Sequence, residues 1–185
     1  MSLSLSEKLL LLRLKRKDPD AFAQFYDLYI TPIYRFIYFK VPTVQDAEDL
    51  ASEVFLKAWQ YITDRSESVE NLRPLLYKIA RNLVVDFYRR RAQAEFVADQ
   101  EVLVQIQDNR QQNLLAQLDT KAEIKNLEIV LRRLKDEYRE VILLRYLEEL
   151  SIGEIAEVLN KSKGSVRVLI HRALKVVKDI IKKEK

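Results

Sequence analysis

The chain has 185 residues, with 32 Lys or Arg and 28 Asp or Glu, which gives a formal net charge of +4 at pH 7. Because it contains no Cys and a single His, disulfides, thiol nucleophiles, Cys/His metal clusters and Ser-His-Asp triads are all disfavoured. With 2 Gly and helical periodicity throughout, the sequence predicts an all-α protein of one or two small domains. We expect that the protein is not an enzyme and that it has no catalytic residue, no cofactor and no bound metal.

The first apolar run, Leu9 to Leu12, is followed by basic residues and by no small-residue cleavage site. A signal peptide carries its positive charge before the apolar run, so this segment is predicted to be an amphipathic helix. No apolar stretch approaches the roughly 20 residues that a membrane span requires. We therefore expect a soluble, cytoplasmic protein without membrane insertion.

Asp18 followed by Pro19 has the pattern of a helix cap and a first-turn proline. Thr31-Pro32 then predicts an interruption or a kink, and residues 33–39 are apolar nearly all round. That second segment favours a buried helix, with a short buried strand as the alternative. Aromatic residues that can face a core recur in the first segment, at Phe22, Phe25, Tyr26 and Tyr29.

Thr43 is predicted to cap a helix in which apolar and acidic residues occupy different faces. Asp46, Asp49 and Glu53 share the acidic face, which we call the acidic strip. Two interpretations remain open, a solvated face favoured by the helix dipole or a docking strip for a basic partner. Catalytic carboxylates or metal ligands are poor interpretations, because no facing His or second acidic pair is evident.

After a predicted loop at residues 64–68, Asn71 is expected to cap a helix that runs to Arg91. The segment 71–91 holds six basic residues and one acidic residue. Basic side chains interleaved with aromatic rings suit a nucleic-acid strand, because the bases neutralise phosphate and the rings stack on nucleobases. A solvated face with a basic helix end is the alternative. One face can carry Lys78, Arg81, Asn82 and Arg89, with Tyr88 near its end.

Residues 92–121 are rich in Gln, Asn, Asp and Ala and are predicted to form a flexible linker, part of which can be helical. From residue 122 the helical pattern resumes, and about four helices are expected up to residue 185. The predicted domains are therefore 1–91 and 122–185.

The second domain ends in a predicted helix-turn-helix. Ser151 and Glu154 have capping-box spacing, and residues 160–164 are turn formers in which Ser162 can cap a second helix. Residues 161–185 hold nine Lys or Arg and two acids, so the net charge of this segment is 9 − 2 = +7. The predicted apolar side of the second helix comprises Val166, Ile170, Ala173 and Val177, and the opposite side comprises Arg167, His171, Arg172, Lys175 and Lys178.

Three segments resemble bacterial RNA polymerase sigma factors of the extracytoplasmic-function group within the sigma-70 family. DAEDLASEVFLKAW at 46–59 resembles the core-binding segment, IARNLVVDFYRRR at 79–91 the −10 segment, and YREVILLRYLEELSIGEIA at 138–156 the approach to the −35 helix. The resemblance implies that 1–91 is region 2 and 122–185 is region 4. It implies a promoter-directing subunit that binds core RNA polymerase and promoter DNA, uses no small-molecule substrate and is inhibited by an anti-sigma factor.

The resemblance also implies roles for individual residues. Core polymerase would be bound by Asp46, Glu48, Asp49 and Glu53, with Glu48 off the acidic strip. The loop at 63–70 would capture a flipped −10 base, and −10 DNA would be held by Lys78, Arg81, Asn82, Tyr88, Arg89 and Arg90. The −35 duplex would be contacted by Lys163, Ser165, Arg167, Val168, His171, Arg172 and Lys175.

Val168-Leu169 stands where members of this group commonly carry Ser-Arg. Helical projection places Val168 on the exposed polar face, where it can meet a thymine methyl, pack on a protein partner or be an incidental exposed valine. Trp59 is predicted to be a core residue. The alternative function is a self-sufficient helix-turn-helix regulator with an N-terminal sensor or dimerisation domain.

Overall fold

The structure of the chain, a computed structural model, describes residues 5–64, 69, 71–97, 127 and 129–182, with residues 94–97 described by their backbone alone. These residues contain helices and no strand, which confirms the all-α prediction. The chain divides into two compact units, Met1–Gln111 and Gln112–Lys185. The division falls inside the predicted linker, whose own limits stay a prediction.

The first unit is built from four described helices: α1 Leu5–Lys15, α2 Pro19–Tyr38, α3 Val44–Asp64 and α4 Leu72–Val97. Helix α3 packs against both α2 and α4. The predicted end of α4 at Arg91 is wrong, because the helix continues to Val97. Residues 92–97 contain no Gly or Pro that would end a helix, so the helix continues beyond Arg91.

Helix α2 begins as predicted, since the Asp18 carboxylate accepts hydrogen bonds from the backbone N–H groups of Asp20 at 3.0 Å and Ala21 at 3.3 Å. It then continues through Pro32 as one helix to Tyr38, so the predicted interruption did not occur. A proline inside a helix costs about 3 kcal/mol. Phe25, Ile33 and Ile37 are all 0% exposed, and burying each contributes roughly 1.5–3 kcal/mol. Burial on both sides of Pro32 therefore outweighs its cost, and residues 33–38 are the predicted buried helix.

Helix α1 is apolar on two faces rather than amphipathic. Leu10, Leu11 and Leu14 are 5%, 7% and 0% exposed, whereas Leu5 and Leu9 are 78% and 55% exposed. Four consecutive leucines at about 100° per residue surround the helix axis, so the unit can bury only some of them. Within the described part of the chain, no helix is both long and apolar enough to cross a membrane.

The core of the first unit is largely aromatic. The rings of Phe25 and Phe55 meet edge to face with centroids 5.5 Å apart, and those of Phe36 and Tyr77 do so at 5.3 Å. Trp59 is only half-buried, and its ring packs edge to face on Phe22 at 4.9 Å. These contacts join α2 to both α3 and α4 and hold the two helices that carry the charged surfaces.

The second unit contains a helical turn at 129–132, α5 Asp136–Ile142, a π-helical segment Leu143–Leu147, α6 Ile152–Leu159 and α7 Lys163–Lys182. The π-helical segment was not predicted. Its wider turn is closed by the N–H of Glu148, which donates to the Leu143 carbonyl at 2.9 Å. The Arg145 guanidinium donates to the Leu150 carbonyl at 2.8 Å, which ties this segment to the start of the helix-turn-helix.

Candidate functional site

The acidic strip lies along the N-terminal half of α3. Thr43 caps this helix as predicted, because its Oγ1 accepts the Asp46 N–H at 3.0 Å and donates to the Asp46 carboxylate at 2.6 Å. Glu53 forms an exposed ion pair with Lys57 at 3.4 Å. Among the described residues, the exposed carboxylate of Asp49 has no hydrogen-bond or ion-pair partner. Asp49 is therefore the member of the strip that is most available to another molecule.

The acidic strip forms one wall of an open groove of ≈ 520 Å³ between α3 and α4. The groove is lined by Asp46, Asp49, Leu50, Glu53, Phe87, Arg90 and Arg91. Two arginines thus share a groove with the three carboxylates, although the sequence placed Arg90 with the −10 residues. This juxtaposition could not be read from either helix alone.

Glu48 does not line this groove, in keeping with its projected position off the acidic strip. Its side chain is exposed, and its charge acts on Tyr34 of α2. The pKa of Tyr34 is raised to about 12, mainly by burial of its hydroxyl group and to a smaller extent by the negative charge of Glu48.

Helix α4 starts at the predicted cap, where the Asn71 side-chain oxygen accepts the Arg73 N–H at 3.2 Å. Because an α-helix advances about 100° per residue, Lys78, Asn82 and Arg89 point within about 40° of one direction. All three are exposed, and Arg81 beside them is half-buried. The structure therefore brings these four predicted −10 residues onto one side of α4, and we call Lys78, Arg81, Asn82 and Arg89 the basic row.

Arg90 does not belong to the basic row. It points about 100° away from Arg89, toward the groove that it shares with Phe87 and Arg91. Arg89 instead forms an exposed ion pair with Asp86 at 3.0 Å. Adjacent arginines of α4 thus face different surroundings.

Tyr88 has a fixed position at the end of the basic row. Its hydroxyl donates to the Lys40 carbonyl at 2.7 Å, and its ring packs edge to face on Phe87 with centroids 5.2 Å apart. The residue is still 46% exposed. Of the predicted base-capturing loop at 63–70, residues 65–68 and 70 lie outside the described residues.

The helix-turn-helix has the predicted local structure. The Ser151 hydroxyl accepts the Glu154 N–H at 3.2 Å and the Glu154 carboxylate accepts the Ser151 N–H at 2.8 Å, which completes the capping box. Asn160 ends α6 in the left-handed conformation with φ 51°. Ser162 caps α7 by accepting the Ser165 N–H at 3.1 Å. Gly164, predicted to be part of the turn, lies inside α7, because the Ser162 cap starts the helix before it.

Helix α7 presents a basic face to solvent and an apolar face to the unit. The buried side chains are Val166, Leu169, Ile170 and Ala173. All predicted −35 residues are exposed: Lys163, Ser165, Arg167, Val168, His171, Arg172 and Lys175. Val168 is 51% exposed and Leu169 is 9% exposed, so the unusual pair is divided between the two faces. Of the pair, only Val168 can reach a partner.

Metal-ligating side chains are not clustered in the described residues, where no group of three or more His, Cys, Asp or Glu is placed to hold an ion.

Family comparisons match both units. The family described as Sigma-70 region 2 matches residues 25–94, and that described as Sigma-70, region 4 matches residues 125–177. The ECF RNA polymerase sigma factor SigW of Bacillus subtilis is 34% identical over 166 residues, which cover 86% of this chain and 88% of SigW. The ECF RNA polymerase sigma factor BldN of Streptomyces coelicolor is 32% identical over 167 residues, which cover 89% of this chain and 62% of BldN.

Two solved structures share the fold. CnrH, in complex with the cytosolic domain of CnrY, has a TM-score of 0.70 at 22% identity, covering 96% of this chain and 97% of that chain. The sigma factor RpoE from Bartonella quintana, in complex with the anti-sigma factor NepR, has a TM-score of 0.70 at 21% identity, covering 89% of this chain and 98% of that chain.

An α-helical unit that matches Sigma-70 region 2, followed by a helix-turn-helix unit that matches Sigma-70, region 4, defines a protein of the sigma-70 class. The chain belongs to the extracytoplasmic-function (ECF) group of sigma-70 family RNA polymerase sigma factors. The resemblance drawn from three sequence segments is thereby confirmed, and the alternative of a self-sufficient regulator is not favoured.

Proposed function

We propose that this chain directs bacterial core RNA polymerase to specific promoters in the cytoplasm and assists opening of the −10 DNA. The observation that carries the proposal is that regions 2 and 4 match in order on one chain, which bears one acidic surface and two separate basic surfaces. It performs no bond chemistry of its own and takes no small-molecule substrate. Its partners are core polymerase and promoter DNA.

The acidic strip is the proposed docking surface for core polymerase, with Glu48 contacting the partner from the side. Asp49 supports this assignment, since an exposed carboxylate that has no partner among the described residues can pair with a basic side chain without breaking a contact seen there. Asp49→Lys is expected to abolish core binding and to change the free energy of unfolding by less than about 0.5 kcal/mol. Asp27→Lys, an equal charge change at an exposed position on α2, is the control. If the Asp49→Lys variant binds core polymerase with unchanged affinity, the acidic strip is not the docking surface.

The basic row and Tyr88 are the proposed surface for the opening −10 strand. Lys78, Arg81 and Arg89 would neutralise phosphate, and the fixed ring of Tyr88 offers a stacking face. Flipping a base out of the duplex costs a few kcal/mol, so the loop at 63–70 is proposed to supply the capturing contacts.

Helix α7 is proposed to enter the major groove of the −35 element. Its N-terminal residues Lys163, Ser165 and Arg167 would face base edges and phosphates, and His171, Arg172 and Lys175 would lie along the backbone. Val168 adds an apolar contact on the same exposed face.

An anti-sigma factor is the proposed inhibitor. The support is that CnrH and RpoE, whose fold this chain shares, were each solved in complex with another protein, which for RpoE is an anti-sigma factor. We expect such a protein to compete with core polymerase for the first unit, so that added core enzyme displaces it.

The decisive experiment combines the purified full chain with sigma-free bacterial core polymerase and a library of promoter fragments. Promoter-dependent transcripts that require the chain are expected. If neither a complex with core enzyme nor any initiation appears across the library, the proposed function is wrong.

A further inference from the structure

The basic side chains of α4 lie on two sides of the helix. The basic row occupies one side, and Arg90 and Arg91 lie on another side with Phe87. The second side faces the acidic strip of α3 across the groove. The basic residues of α4 look like one continuous segment in the sequence. In the folded unit they form two surfaces, the basic row and the groove wall that contains Arg90 and Arg91.

The electrostatics of the groove differ from those of a DNA-binding surface. Its lining holds three carboxylates and two guanidinium groups, so the formal charge is 2 − 3 = −1. A phosphate backbone that approached Arg90 here would also approach the carboxylates that line the same groove, Asp46, Asp49 and Glu53. Repulsion from these carboxylates makes Arg90 a poor phosphate ligand.

The groove has the features of a protein-binding surface. The half-buried Phe87 supplies most of the apolar lining of the groove, to which Leu50, 5% exposed, adds a small area. In the described residues the Asp49 carboxylate has no partner, and the Arg90 Nε makes a long hydrogen bond of 3.4 Å to the Asp86 carbonyl. Asp49 on one wall and Arg90 on the other are thus the charges most available to an incoming chain.

We infer that Arg90 belongs to the polymerase-docking surface and not to the −10 surface, and that the groove receives a polymerase segment of mixed charge. That segment would carry a basic side chain for Asp49, an apolar side chain over Leu50 and Phe87, and an acidic side chain for Arg90. This inference rests on the proposed function. The two opposite charges fix the register of the partner, since a shifted segment would place like charges together.

The test compares neighbouring arginines of α4 in the full chain. Arg90→Gln removes the charge without adding a fourth carboxylate to the groove, and Arg90→Lys retains it. Arg89→Gln is the matched control, because Arg89 is exposed and lies outside the groove. The measurements are the Kd for sigma-free core polymerase and the Kd of each saturated holoenzyme for a single-stranded −10 oligonucleotide from a promoter that it transcribes.

Arg90→Gln is expected to weaken core binding about tenfold and to leave oligonucleotide binding unchanged, whereas Arg90→Lys should stay within about threefold of the original core affinity. Arg89→Gln should show the reverse pattern, with normal core binding and weaker oligonucleotide binding. The inference is overturned if Arg90→Gln binds core normally, whether or not its oligonucleotide affinity falls.

Asp49→Lys distinguishes a failure of the proposed docking surface from a failure of the Arg90 assignment alone. If Asp49→Lys loses core binding and Arg90→Gln does not, the docking proposal stands and the assignment of Arg90 is wrong. If neither variant affects core binding, the acidic strip is not the docking surface and the proposed function loses its main structural support.

Discussion

Residues 168 and 169 provide a sharp test, because adjacent apolar side chains are assigned opposite roles. Leu169 is 9% exposed and lies between Val166 and Ala173, which are both 0% exposed, whereas Val168 is 51% exposed. Truncating a buried leucine to alanine costs about 2–5 kcal/mol, and truncating an exposed side chain usually costs less than about 0.5 kcal/mol. Leu169→Ala should therefore destabilise the second unit, and Val168→Ala should not.

The stability difference can be measured by amide hydrogen exchange of the full chain, read separately for α6 and α7. A loss of 2 kcal/mol corresponds to opening that is roughly 30-fold more frequent, so exchange in both helices of Leu169→Ala should accelerate at least by that factor. Exchange in Val168→Ala should match the unsubstituted chain. Equal acceleration in the two variants would refute the assignment of these residues to opposite faces.

The binding role of Val168 needs a separate measurement. If its methyl groups meet a thymine methyl in the −35 element, Val168→Ala loses roughly 0.8 kcal/mol, or about fourfold in affinity. The assay uses holoenzyme and a −35 duplex selected from a random pool, with each thymine replaced in turn by uracil. The loss should vanish at the uracil that lacks the contacted methyl. A loss that persists on every uracil duplex would contradict the thymine contact, and no loss on any duplex would make Val168 an incidental exposed residue.

Three further predictions follow from single contacts. Arg167→Ala should weaken −35 binding and reduce the slope of log affinity against log salt by about 1 if this guanidinium neutralises one phosphate, and an unaltered slope would exclude that role. Ser151→Ala breaks the capping box and should lower stability by about 1 kcal/mol in urea denaturation, a loss that an unchanged midpoint would contradict. A hydrogen bond from Arg13 lowers the pKa of Asp18 below the ordinary 3.8, so the stabilisation by this carboxylate is present above that value and declines as the pH falls through the lowered pKa. Asp18→Asn should therefore reduce the loss of stability as the pH falls through and below 3.8, and an identical pH profile would show that the Arg13 contact has no energetic role.

Helix starts were largely predictable because their chemistry is local. Asp18, Thr43, Asn71, Ser151 and Ser162 each accept a backbone N–H two or three residues further along the chain, so the residues that form each cap are adjacent in sequence. The exposed basic face of α7 follows from helical period for the same reason. The family was also predictable from the sequence, because three segments that resemble it occur in the expected order along the chain.

Contacts between distant segments decided the remaining features. Helix α2 continues through Pro32 because burial on either side outweighs one lost hydrogen bond, and α1 leaves Leu5 and Leu9 exposed because the unit covers only part of its surface. The placement of Arg90 in the same groove as Asp49 depends on how α3 packs against α4, which no pattern within either helix specifies. The sequence by itself determined the all-α class, most helix starts with their caps, and the family, because these depend on neighbouring residues. Only the tertiary structure decided which charged side chains share a surface, because that depends on packing between helices far apart in the chain.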